Sequence, residues 1–136
     1  MPDTYIPRSL EPHLARAISE FPVVVVVGPR QSGKTTLLRH LYETQRPLVS
    51  LEPPDVRAAA TNDPRGFLDL HGPPVVFDEI QYAPELLPYI KERVDAQRDQ
   101  AGQFILTGSQ NLLLMQQVTE SLAGRSACLL YTSRCV

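Results

Sequence analysis

"VVVVVGPRQSGKTTLLRH", Val23 to His40, is the stretch that decides the fold. Five consecutive β-branched valines are far too few to cross a membrane and read as a strand buried on both faces. The strand runs into a glycine, and the chain then places a lysine and two hydroxyls where a helix begins. Gly28-Pro29-Arg30-Gln31-Ser32-Gly33-Lys34-Thr35 fits G-x-x-x-x-G-K-[ST], a phosphate-binding P-loop. Gly28 and Gly33 let the backbone double back with no Cβ in the way. Successive N–H groups then face inward as an anion nest at the positive end of a helix. Pro29 has no N–H, so the donors start at Arg30 and continue through Gln31, Ser32 and Gly33. Lys34 is expected on the β- and γ-phosphates, Thr35 on Mg²⁺ and Thr36 near the α-phosphate. No G-x-G-x-x-G occurs, which argues against a dinucleotide cofactor.

A second element lies downstream. In "VVFDEIQ" an apolar strand ends in Asp78, with Glu79 immediately after it. Two adjacent carboxylates behind four apolar residues are costly to bury unless they face a metal or water. Asp78 suits Mg²⁺ held through a bridging water, and Glu79 suits a base that orients and polarises an attacking water. The plainer alternative is a solvated strand end. In "FILTGSQN" a polar cluster closes another strand, and Ser109, or failing it Thr107 or Asn111, is placed to meet a γ-phosphate or the lytic water. Ser109 would equally serve as a helix N-cap. Arg125, in "SLAGR", can stabilise charge on a transferring phosphoryl group from its own chain or a neighbour's; as a cation beside a helix end it needs no such role.

The remainder of the chain reads as alternating strands and helices, which argues for an α/β fold with a mainly parallel sheet. Helices are expected over Ser9–Phe21, from Ser32 or Gly33 to Tyr42, and within "PDVRAAATNDP", ending before Pro64. Two more are expected in "APELLPYIKERVDAQRDQ", with Pro88 either near its first turn or kinking it, and in "NLLLMQQVTESLAG". Strands are expected in "PLVSL", "PPVVFDEI" and "QFILTGS".

The 136 residues, 43% hydrophobic and 21% charged, suit one ordinary globular unit. A net charge of −2 offers no basic field, so nucleic-acid binding has no support, and nothing points to a membrane surface. The amino end lacks the cationic start and apolar stretch of a signal peptide, which makes a cytoplasmic setting the expectation. His13, His40 and His71 share no metal-ligand spacing. Both cysteines, Cys128 and Cys135, fall in the closing "CLLYTSRCV". That tail back-translates to a near inverted repeat, like two sequencing-library adapters joined head to head. The expected division is therefore an ATPase core over residues 1–127 and a non-native tail over 128–136.

With "GPRQSGKTT", "VVFDEIQ", "ILTGSQN" and "SLAGR" in this order, and "YIPR" before the first helix, residues Tyr5 to Arg125 resemble the AAA-type ATPase domain of a widespread bacterial and archaeal family. The resemblance implies an AAA+-like three-layer P-loop NTPase fold. It also implies ATP contacts at Gly28–Thr36, Mg²⁺ on Thr35 and Asp78, and water activation by Glu79. In that family a second, largely uncharacterised and nuclease-like domain normally follows. This chain is expected to lack it, together with the helical lid and the sheet strand that should follow "SLAGR"; oligomeric state stays open. The function implied is Mg²⁺-dependent ATP hydrolysis coupled to that further domain. The alternatives are a nucleotide-binding switch that scarcely turns over, or a P-loop kinase.

Overall fold

The structure is a computed structural model that describes residues 10–29, 34–42, 44–109 and 111–130, with the side chains of Leu10, Lys34, Leu41 and Leu112 left aside. Its sheet has five strands: β1 (Val23–Gly28), β2 (Leu48–Ser50), β3 (Val75–Asp78), β4 (Phe104–Ser109) and β5 (Ser126–Leu130). They lie in the order β2-β3-β4-β1-β5, and every neighbouring pair is parallel. The valine run sits second from one edge and is buried throughout. Its alternation divides the interior. Val23, Val25 and Val27 face one core, and Val24 and Val26 face the other.

The second core is covered by α1 (Leu10–Glu20) and α2 (Lys34–Tyr42), through Leu14, Ala17, Leu37 and Leu38. The larger core is covered from the other side by α3 (Pro54–Asn62), α4 (Pro64–Leu70), α5 (Leu86–Ala96) and α6 (Leu112–Leu122). The result is helix, sheet, helix: the three-layer α/β sandwich expected of a P-loop NTPase.

Local chemistry explains where the helices start. Pro54 and Pro64 each stand in a first turn, where a missing N–H costs nothing. Asp63 caps α4, its carboxylate accepting from the Gly66 N–H at 3.1 Å. Sequence does not announce this short helix, because Pro64 reads as a stop as readily as a start. Pro88 is the third residue of α5, within the first turn, the former of its two expected placements. Leu86, Leu87, Ile90 and Val94 give that helix its buried face.

The expectation for the closing segment needs correcting. A strand does come after "SLAGR": β5 pairs with β1 from Val23↔Ser126 to Val27↔Leu130. Ala127 and Leu129 point into the α1–α2 core, so the strand runs across the anticipated boundary at residue 127. Residues 131–136 lie outside the described residues, as do Tyr5–Arg8.

Candidate functional site

Register determines which residues meet. Gly28 is level with Ser109, and Phe77 with Leu106, so Asp78 comes level with Thr107. The carboxyl ends of β1, β3 and β4 therefore form one polar edge, the usual binding edge of an open parallel sheet. Helix α2 begins at Lys34, immediately above it. Arg30, Gln31, Ser32 and Gly33, and the side chain of Lys34, lie outside the described residues. Thr35 is part-buried and Thr36 is exposed.

Across this edge, the Thr35 hydroxyl donates to Asp78 Oδ1 at 2.9 Å, joining residues 43 positions apart. The same oxygen accepts from the Thr107 hydroxyl at 2.5 Å. Thr107 is fully buried, and its oxygen in turn accepts from the Glu79 N–H at 3.0 Å. One hydroxyl thus fixes both acidic residues. Asp78, only 7% exposed, is tied on its other side by its carbonyl, which accepts from the Leu51 N–H at 2.9 Å. Held at 0% exposure, Thr107 supports the acids from beneath and cannot reach a phosphate itself.

The chain reverses at Glu79, whose φ of 62° and ψ of 54° put it in the left-handed region. A non-glycine residue there is strained and persists only where its surroundings hold it. A single turn of 3-10 helix, Ile80–Tyr82, comes next, with Ile80 buried beneath it. This turn brings Gln81 back over the end of β4. Its Nε2 donates to Glu79 Oε1 at 2.6 Å and lies 3.4 Å from Ser109 Oγ, while its Oε1 accepts from the Ser109 N–H at 3.3 Å. Gly108 makes room for this crossing. A Cβ there would come within 2.7 Å of Leu114 Cδ2 and 3.0 Å of Gln81 Oε1. The turn is also buttressed from α3, where the Arg57 guanidinium stacks over the Tyr82 ring at 4.3 Å.

Two of the remaining candidates serve elsewhere. Asn111 is the N-cap of α6, its Oδ1 accepting from the Leu114 N–H at 2.7 Å, so Ser109 is not the cap that sequence allowed. Arg125 lies at the opposite edge, where its carbonyl accepts from the Val23 N–H. Six residues of β1 put it about 16 Å from the phosphate-loop end. There it forms a two-pronged ion pair with Asp95 on α5, at 2.6 and 3.1 Å. That pair holds the Asp95 carboxyl below its usual range and raises Arg125 further. Within its own chain Arg125 is a structural cation. His71 packs on Phe67 at 4.6 Å, and His13 and His40 lie on the surface.

The donor set fits a hard cation. The Thr35 proton is committed to Asp78, which leaves the hydroxyl's lone pairs for a metal, and Asp78 is acceptor-only. Oxygen donors of this kind suit Mg²⁺, which takes one or two protein ligands and completes its shell with phosphate and water. No group of three or more His, Cys, Asp or Glu side chains among the described residues makes a competing metal site.

A family model for an AAA domain matches residues 20–133. The chain belongs to the AAA domain family. This AAA domain is 35% identical over 118 residues to two uncharacterised proteins, Rv2008c of Mycobacterium tuberculosis and Mb2031c of Mycobacterium bovis. The match covers 87% of this chain and 26% of each relative, so the chain spans about a quarter of their length. Membership puts it among nucleotide-binding, ATPase-type P-loop domains. Among the described residues no helix is long and apolar enough to cross a membrane.

Proposed function

We propose that this AAA domain binds ATP with Mg²⁺ and hydrolyses it, and that turnover drives a further domain of a longer protein. The observation that carries the reading is the Thr35–Asp78 hydrogen bond, because it brings the P-loop hydroxyl and the strand-end carboxylate to one point. Gly28 to Thr36 would cradle the phosphates, with Lys34 as the point charge on the β- and γ-groups. Thr35 and Asp78 would hold Mg²⁺, which when bound neutralises charge on the phosphate oxygens.

Glu79 would accept a proton from a water as the water oxygen bonds to the γ-phosphorus. The bond from that phosphorus to the bridging oxygen breaks, and ADP leaves with the electron pair. Ser109, at the neighbouring strand end, would meet the γ-phosphate or that water. Thr107 orients both acids from below. An ion pair with Asp95 removes Arg125 from this scheme within its own chain. The length of the relatives supports coupling to a further domain.

Phosphate release tests the proposal. Mg²⁺-dependent turnover is expected, with Lys34→Ala losing nucleotide binding and Glu79→Gln keeping binding while losing turnover. Undiminished turnover in Glu79→Gln would remove that residue from the mechanism. Binding without any release would make the domain a switch, and faster transfer to a hydroxyl acceptor than to water would make it a kinase.

A further inference from the structure

We infer that Gln81 is the residue that positions Glu79 for its work on water, tying the carboxylate to the end of β4 beside Ser109. The inference rests on the hydrolysis reading and adds a residue to it. Glu79 has a flexible side chain on a strained backbone, part-buried at the carboxyl end of the sheet. Its N–H is anchored to Thr107 but its carboxylate needs an anchor of its own. Among the described residues Gln81 alone supplies one, through the 2.6 Å bond from its amide.

The other contacts of that amide explain why glutamine suits the position. A donor is needed toward Glu79 and an acceptor toward the Ser109 N–H, and a side-chain amide offers both on one rigid plane. The two ends differ in strength. The bond to a charged carboxylate is short, whereas the contacts at Ser109 are 3.3 and 3.4 Å. Glu79 is thus held firmly, and Ser109 loosely enough to turn its hydroxyl to an arriving phosphate. The fold reserves space for this bridge at Gly108, where a Cβ would press on Gln81 Oε1. Among the described residues the amide's hydrogen bonds go to Glu79 and Ser109, and those of the Asp78 carboxylate to Thr35 and Thr107, so its effect should fall on the water-directed step rather than on nucleotide affinity.

A misplacement of about 1 Å can cost on the order of a hundredfold in rate, and a general base contributes about 10²–10⁴-fold in total. Replacing the amide by a side chain of similar length and volume, Gln81→Met, is therefore expected to lower kcat about 10- to 100-fold. The ATP Kd, measured by calorimetry, should stay within about twofold. Placed in the Glu79→Gln background, the same change should have no further effect on single-turnover phosphate release, because its target is already gone.

The inference is overturned by a Gln81→Met kcat within about twofold of wild type. It is equally overturned by a matching loss of affinity, or by an undiminished loss in the Glu79→Gln background, either of which marks a purely structural role. Should Gln81→Met not fold, Gln81→Asn withdraws the amide by one methylene and is expected to give the same pattern. Wild-type protein that binds ATP without releasing phosphate would sink the hydrolysis reading and this inference with it. That result is distinguishable because it appears before any variant is made.

Discussion

Removing one buried hydroxyl should damage the site more than its size suggests. Thr107→Val keeps the shape of the side chain but deletes the oxygen between the Glu79 N–H and the Asp78 carboxylate. A hydrogen bond to a charged group contributes about 1.5–3 kcal/mol, and an orphaned polar group costs about 1–3 kcal/mol. Asp78 keeps Thr35 as a donor, and water can reach the part-buried Glu79 N–H, so the combined loss falls below the sum. About 2–4 kcal/mol is expected, a large share of the roughly 5–15 kcal/mol that holds a domain together. At roughly 3 °C per kcal/mol for a domain of this size, Tm should fall by about 6–12 °C. Thr107→Ser, which keeps the hydroxyl and loses a methyl group, should cost about 1 kcal/mol. Urea titrations of both variants, read beside thermal melts, give the comparison. If Thr107→Val matched wild type, or proved more stable than Thr107→Ser, the hydroxyl would not be what holds the acidic pair.

Gly108→Ala should destabilise the fold by about 1–3 kcal/mol through overpacking against Leu114 and Gln81; an unchanged Tm would show that this crossing is looser than the geometry requires. Asn111→Ala should cost about 1 kcal/mol through the loss of the α6 cap, while Ser109→Ala should leave Tm within about 2 °C. The reverse order would return the cap to Ser109. Asp95 is held below its unfolded pKa of about 3.9, so its contribution is complete above that value and disappears as pH falls through the folded one. Asp95→Asn should accordingly be less stable than wild type at pH 7, and the two should converge on acidification below about pH 4. A gap that widened in acid would contradict the assigned direction of the Asp95 shift.

The nucleotide edge is more legible in the sequence than the supports beneath it. Val23–Gly28 and Asp78 stand out because an apolar strand that ends in glycine or acid suits the ligand-facing edge of a parallel sheet. The same pattern implies that Thr35 and Asp78 converge, although 43 residues separate them. Gln81 is not legible, because its role depends on the left-handed turn at Glu79, and no residue type announces that conformation there. Thr107 reads in sequence as a fallback to Ser109 for the γ-phosphate or the lytic water, because composition cannot distinguish the inward from the outward residue at a strand end. β4 runs on to Ser109, which moves the helix cap to Asn111. β5 is hidden for a different reason. Only Ala127 and Leu129 need to face inward, and that alternation is weak beside the near inverted repeat to which "CLLYTSRCV" back-translates.

Calorimetric titration of ATP into the wild-type protein, with Mg²⁺ and again with EDTA, tests the central claim most directly. The Thr35–Asp78 pairing predicts one saturable site that binds about tenfold or more tightly with magnesium, an increment lost in Thr35→Val. Saturation indifferent to the metal, or no saturable binding at all, would contradict it.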